Sequence, residues 1–124
     1  MTDFLLVHDI GQGAWAWGKV WGYLTSQVEH PPRLAFATAV RKVVSLDMPC
    51  DATAGLDTWV SSVTEAIRSN ELRDLILVAH GMAAPAVLQV AAQLDTPPKR
   101  VVLLAGVIPK YGSSSLSSLC LPVQ

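Results

Sequence analysis

Four short and nearly continuous apolar runs constrain this chain most: Phe4 to Val7, Val43 to Leu46, Leu75 to Ala79 and Val101 to Ala105. A strand with one face in water alternates apolar and polar residues. Runs that are apolar at every position belong to strands covered on both faces, as in a parallel sheet between layers of helices. The gaps between the runs carry helical spacing. Trp17, Val20, Trp21 and Leu24 fall at i, i+3, i+4 and i+7, and Leu56, Trp59, Val60, Val63 and Ile67 continue the pattern in the next gap. Asp57 or Thr58 is expected to cap that second helix, since a short side-chain oxygen satisfies the free N–H groups at its start. Met82 to Leu94 is apolar on several sides, with Val87, Val90, Ala91 and Leu94 on one stripe, so it is expected to be the most buried helix. Pro85 fits only in its first turn, where a missing N–H costs little.

The order strand-helix-strand-helix-strand-helix-strand predicts an α/β fold. Its form is a three-layer parallel sheet of about four strands with flanking helices and right-handed crossovers. One domain is expected over residues 1–112, followed by a Ser-rich tail over 113–124. Gln27 to Arg41 reads least clearly: His30-Pro31-Pro32 interrupts regular structure, while Leu34 to Val40 has room for a short helix.

Composition narrows the function classes. The 124 residues are 51% hydrophobic and only 15% charged, against a usual charged share of about 25%. That excludes a disordered chain. It also leaves apolar area on the surface of so small a body, which predicts a partner or self-association. The net charge of −1 and scattered basic residues, paired only at Arg41-Lys42 and Lys99-Arg100, exclude a nucleic-acid surface. Cys50 and Cys120 lie far apart with no ligand spacing around them, so no disulfide framework, metal or cofactor is expected. Asp3 precedes the first apolar run where a secretory signal carries basic residues, so a cytoplasmic setting is expected. Leu75 to Leu94 carries no formal charge and is long enough to span a bilayer. His80, Gly81, Pro85, Gln89 and Gln93 within it favour a strand, a turn and a buried helix, with no membrane association.

Four segments carry a further pattern. They are Phe4 to Trp17, containing His8-Asp9-Ile10-Gly11-Gln12-Gly13-Ala14-Trp15-Ala16-Trp17; Ser45 to Cys50; Leu75 to Ala84, containing Ala79-His80-Gly81-Met82-Ala83; and Val101 to Ser113. In this order they resemble the N-terminal half of the α/β-hydrolases, especially the esterase and hydroxynitrile-lyase branch. The resemblance implies that the loop after the first strand supplies an oxyanion-hole N–H from Ile10, with Asp9 in place of the usual glycine. It places Ala79 to Ala83 on the nucleophile elbow G-x-S-x-G, with Gly81 where the serine stands. Glycine has no side chain, so no acyl-enzyme forms there, yet it adopts the strained turn at low cost. The N–H of Met82 is then expected to stay aimed at the former oxyanion. By this resemblance His80, Gly81 and Met82 form a vestigial nucleophile elbow, and His8, Asp9 and Ile10 a vestigial oxyanion loop. No catalytic residue is assigned. The match covers residues 3 to about 115 and corresponds to about half of a hydrolase domain. The triad acid and histidine, which the family carries on later strands, are expected to be missing: a truncated hydrolase core.

Plainer readings of single residues are preferred. His8 and His80 are read as strand-end histidines held by hydrogen bonds rather than as a catalytic pair. Asp47 reads as a turn or cap residue, Cys50 as a small residue rather than a reactive thiol, and Trp17 and Trp21 as core. Three functions remain in view. The first is a non-catalytic hydrolase homologue that forms a homo-oligomer through open sheet edges. The second is an ester hydrolase of carboxylesterase type, or a lyase, completed by another chain. The third is a weak binder of small acyl ligands, carbonyl or carboxylate, on the two N–H donors.

Overall fold

The computed structural model describes residues 1–29, 39–51 and 53–110. Strand β1 (Thr2–Val7) leads through a 3-10 turn (Ala14–Trp17) into helix α1 (Gly18–Glu29). Strand β2 (Val40–Leu46), helix α2 (Leu56–Ser69) and strand β3 (Leu75–His80) follow. A second 3-10 turn (Gly81–Ala83), helix α3 (Ala84–Gln93) and strand β4 (Arg100–Leu104) complete the described elements. The sheet runs β2-β1-β3-β4 and every pairing is parallel. Phe4 lies between Val43 and Ile76, and Val78 lies beside Val102. The chain steps from β1 to one side and then returns to the other. The carboxyl ends of β1 and β3 therefore form a topological switch point, where open α/β sheets place their ligand crevice.

Both faces of the central strands are covered. Leu5, Val7, Leu77 and Ala79 turn to one side, where they pack with Trp59 and Val63 of α2 and Val87 and Val90 of α3. Leu6 and Val78 turn to the other, against Trp17. Each fully buried leucine of this set stabilises the fold by about 1.5–3 kcal/mol relative to exposure. The continuous apolar runs thus have their expected cause in β1 and β3. Strand β4 differs: Arg100, Val102 and Leu104 are exposed, and only Val101 and Leu103 pack against the core. Among the described residues no strand pairs beyond β4, and its Val102 and Leu104 are exposed.

The helices depart from the sequence reading in two places. Trp17 ends the 3-10 turn rather than opening α1, which resets the helical phase. Trp17 is buried, while Val20 and Trp21 are each exposed and Leu24 is half-buried. Trp21 is therefore not core; its indole N–H instead reaches the Val43 carbonyl at 3.3 Å. Helix α2 is capped two or three residues earlier than expected. Gly55 is the N-cap, and Thr58 returns its hydroxyl oxygen to the Gly55 N–H at 3.4 Å. Asp57 lies inside the first turn, where a negative charge favours the helix N-terminus. Pro85 sits in the first turn of α3, as its missing N–H requires. The Ser-rich tail over 113–124 and most of the short helix expected over Leu34 to Val40 lie outside the described residues; Val40 itself opens β2. No described helix is long and apolar enough to cross a membrane.

One buried charge escaped the sequence reading. Asp3 is fully buried on β1, and Arg41 of β2 pairs with both of its carboxylate oxygens, Nε reaching Oδ1 at 2.9 Å. The Arg73 N–H donates to Oδ2 at 2.6 Å. Burial pushes the Asp3 carboxyl up, but the Arg41 guanidinium and the Arg73 N–H outweigh it and hold the group below its usual range.

Candidate functional site

Three loops converge at the carboxyl ends of β1, β2 and β3. Beyond β1 comes His8, fully buried. Its Nε2 accepts the Met48 N–H at 2.9 Å, which leaves the proton on Nδ1 to donate to the Asp9 carbonyl at 2.7 Å. The ring also stands edge-on to Trp59, with centroids 5.7 Å apart. With both nitrogens engaged, His8 ties the loop after β2 to the loop after β1 and has no lone pair for proton transfer. His80 is separate. Its Nδ1 lies 3.2 Å from Gln12 Oε1, and its ring meets Trp17 edge-on at 6.4 Å. The two histidines serve different loops, as strand-end residues held by hydrogen bonds.

The loop after β1 is a closed turn. The Gln12 N–H donates to the Asp9 carbonyl at 3.2 Å, and the Asp9 N–H returns to Gln12 Oε1 at 3.4 Å. Gln12 therefore links this turn to His80, a role that no sequence pattern marked. Asp47 caps the following 3-10 turn from across the sheet, its Oδ1 accepting the Ala14 N–H at 2.6 Å. Gly13 must stay bare for this, since a Cβ there would stand 2.9 Å from the Trp15 ring and 3.0 Å from Asp47 Oδ1. Cys50 is exposed, with its Sγ 3.1 Å from the Met48 carbonyl.

Gly81 stands at the bend between β3 and the turn that leads into α3, with φ at +59°. This left-handed conformation costs an L-residue about 1–2 kcal/mol and glycine nothing. The Val107 N–H, returning after β4, donates to the Gly81 carbonyl at 3.0 Å and holds the bend from behind.

The two loops meet through one side chain. Asp9 Oδ1 accepts the Ile10 N–H at 2.8 Å and the Met82 N–H at 2.8 Å. These are the two N–H groups that sequence comparison assigned to an oxyanion hole. They do converge on one point, but Asp9 occupies that point. The same carboxylate also fills the space beside Gly81. A Cβ at position 81 would lie 2.6 Å from Asp9 Oδ1, and closer still to its Cγ and Oδ2. The expectation of open donors is therefore replaced by a closed, internally satisfied junction. The cause is the residue that stands where the resembling family has glycine.

Beside this junction lies a cleft of about 520 Å³. Ile10 and Met82 form one wall, Pro49 and Trp59 a second, and Pro85 of α3 a third. Trp59 is fixed there by its indole N–H, which donates to the Pro49 carbonyl at 2.9 Å. Asp51 on the rim is the one charged side chain among the described lining residues. The Thr53 hydroxyl and N–H bond its carboxylate and hold it below the usual carboxyl range. Among the described residues no group of His, Cys, Asp and Glu is placed to hold a metal ion.

Residues 20–118 match the family described as serine hydrolase. No curated protein matches the chain in sequence. Among solved structures, an extracellular α/β-hydrolase from a Paenibacillus species superposes with a TM-score of 0.64 at 18% identity, over 89% of this chain and 43% of that one. Its description reports structural and functional homology to tobacco salicylic acid binding protein 2. A phospholipase from Legionella pneumophila, solved with thio-NAD, superposes with a TM-score of 0.64 at 16% identity, over 86% of this chain and 25% of that one. The chain thus spans less than half the length of these structures. At such identities they establish a shared α/β-hydrolase fold.

Proposed function

Because the chain belongs to the serine hydrolase family, we propose that it is a member whose catalytic junction has been closed from within and that it acts without covalent catalysis. One observation carries this reading: the Asp9 carboxylate holds both N–H donors and fills the place of a nucleophile side chain beside Gly81. Acyl transfer needs a nucleophile and an empty pair of donors where charge develops. Here the first is a hydrogen atom and the second is taken. An ester hydrolase or lyase completed by another chain would first have to expel Asp9. A binder of small carbonyl or carboxylate ligands faces the same obstacle.

The test is intact-mass analysis of the full chain after exposure to a reactive fluorophosphonate, alongside hydrolysis of p-nitrophenyl acetate. The expected result is an unmodified mass and hydrolysis no faster than with the unfolded chain. A phosphonate adduct, wherever peptide mapping places it, overturns the proposal.

Self-association belongs to the same reading. Strand β4 offers a free edge among the described residues, with Val102, Leu104 and, beyond it, Ile108 exposed. An apolar free edge pairs readily with another strand, and a second copy of the chain is the proposed occupant. A reducing, cytoplasmic setting is proposed from Cys50, an exposed free thiol.

A further inference from the structure

Closing the junction with a carboxylate changes what the neighbouring cleft can recognise. An open pair of N–H groups would draw an acyl oxygen or an anion. With Asp9 bound to them, the donors of Ile10 and Met82 are spent, and a negative charge stands behind the wall these two residues form. The rim adds a second carboxylate, Asp51. No Lys, Arg or His is among the described residues that line the cleft. The rest of the wall is apolar, and the exposed side chains of Ile10 and Leu56 extend it outward to the mouth. Trp59 is among the lining residues, and aromatic rings attract cations.

We propose that this cleft binds a small apolar amine in its protonated form, with the hydrocarbon body against Pro49, Trp59, Met82 and Pro85 and the ammonium directed to the Asp51 carboxylate, while the charge of Asp9 behind the Ile10 and Met82 wall favours the same sign. The ligand preference of the site is thereby reversed from a carbonyl or carboxylate oxygen to an organic cation. This inference rests on the closed junction described above.

The test is a titration of the full chain, labelled with nitrogen-15, with hexylammonium and separately with hexanoate. The two probes share a hydrocarbon body and differ in the sign of the head group. The indole N–H signal of Trp59 reports occupancy of this cleft rather than of the β4 surface. Hexylammonium is expected to shift that signal and to bind at least about tenfold more tightly than hexanoate, as a charge-assisted contact in place of a repulsive one requires. Asp9→Asn keeps an oxygen for both N–H groups and removes the charge; it and Asp51→Asn are each expected to weaken hexylammonium by about three- to tenfold. Equal or tighter binding of hexanoate, or no movement of the Trp59 signal with either probe, overturns the proposal. So does unchanged hexylammonium affinity in both variants. The amide signals of Ile10 and Met82 separate this failure from a failure of the closed junction. If Asp9→Ala leaves their hydrogen exchange unchanged, the junction itself is refuted; if it accelerates their exchange while hexylammonium does not bind, only the cleft assignment falls.

Discussion

Returning a serine to position 81 is expected to destabilise the protein rather than revive it, and the size of the loss can be built from the structure. The new Cβ would stand 2.6 Å or less from Oδ1, Cγ and Oδ2 of Asp9, so the carboxylate must leave. Its departure breaks two hydrogen bonds of a charged acceptor, to Ile10 and Met82, each 2.8 Å long. Bonds of this kind contribute about 1.5–3 kcal/mol each when desolvated. Asp9 is only half-buried, so water recovers part of the loss, and about 2 kcal/mol in total is a fair figure. The left-handed backbone at +59° adds about 1–2 kcal/mol for any residue with a Cβ. Gly81→Ser should therefore cost about 3–4 kcal/mol. Asp9→Gly alone should cost about 2 kcal/mol, because it breaks the same two bonds. With Asp9→Gly already in place, only the backbone strain remains for Gly81→Ser, about 1–2 kcal/mol. The two substitutions should thus be coupled by about 2 kcal/mol, the double variant being more stable than the sum of the singles implies. Urea unfolding followed by tryptophan fluorescence, with four tryptophans in the chain, measures all corners of the cycle. Additivity within about 0.5 kcal/mol would show that Asp9 does not stand beside Gly81, and the proposed function would lose its support.

Asp3 gives a pH prediction. Its carboxyl is held below the ordinary value of 3.8 in the fold, so between the two values the unfolded chain binds more protons. The stabilisation is complete above 3.8 and is lost as pH falls from there through the folded value. Asp3→Asn should cost about 2 kcal/mol at neutral pH, and the gap to the native protein should close in urea melts taken progressively below pH 3.8; a gap independent of pH refutes the pairing with Arg41. For the sheet edge, a lysine in place of Val102, exposed on β4, should shift the mass in light scattering from dimer to monomer. A native chain that already scatters as a monomer at working concentration removes the self-association proposal.

Periodicity revealed the layers because burial imposes it directly. Leu5, Val7, Leu77 and Ala79 are apolar since both faces of β1 and β3 are covered, and that cause acts residue by residue along the chain. The bend at Gly81 was likewise visible, as an elbow pattern with the wrong residue at its centre. Local rules failed where a distant group took over. Trp21 lost its place in the core because the 3-10 turn ahead of α1 shifted the helical phase, and no composition signal marks such a turn. Gly55 displaced Asp57 and Thr58 as the cap of α2. The Asp3–Arg41 pair joins residues on different strands, and a single sequence carries no sign that one acid among ten is buried. The closed junction was the largest omission. Asp9 could be seen as a departure from the resembling family, and so could Gly81, but their contact spans 72 residues of chain and exists only once β1 and β3 are neighbours.

That contact makes the two departures one. Glycine at both positions leaves the N–H pair facing water, which can satisfy it at a surface site. A carboxylate at 9 beside a serine at 81 instead demands two side chains in one volume. Any single-step path from glycine at 9 and serine at 81 to the present pair therefore runs more easily through loss of the hydroxyl first. The carboxylate then gains two N–H partners that were already aligned, so the first change relieves backbone strain at 81 and the second adds two bonds. Once both are in place, reversing only the change at 81 meets the clash and the strain together. Glycine at 81 is thereby locked by packing, and the aligned donors at the bend hold the loops after β1 and β3 together.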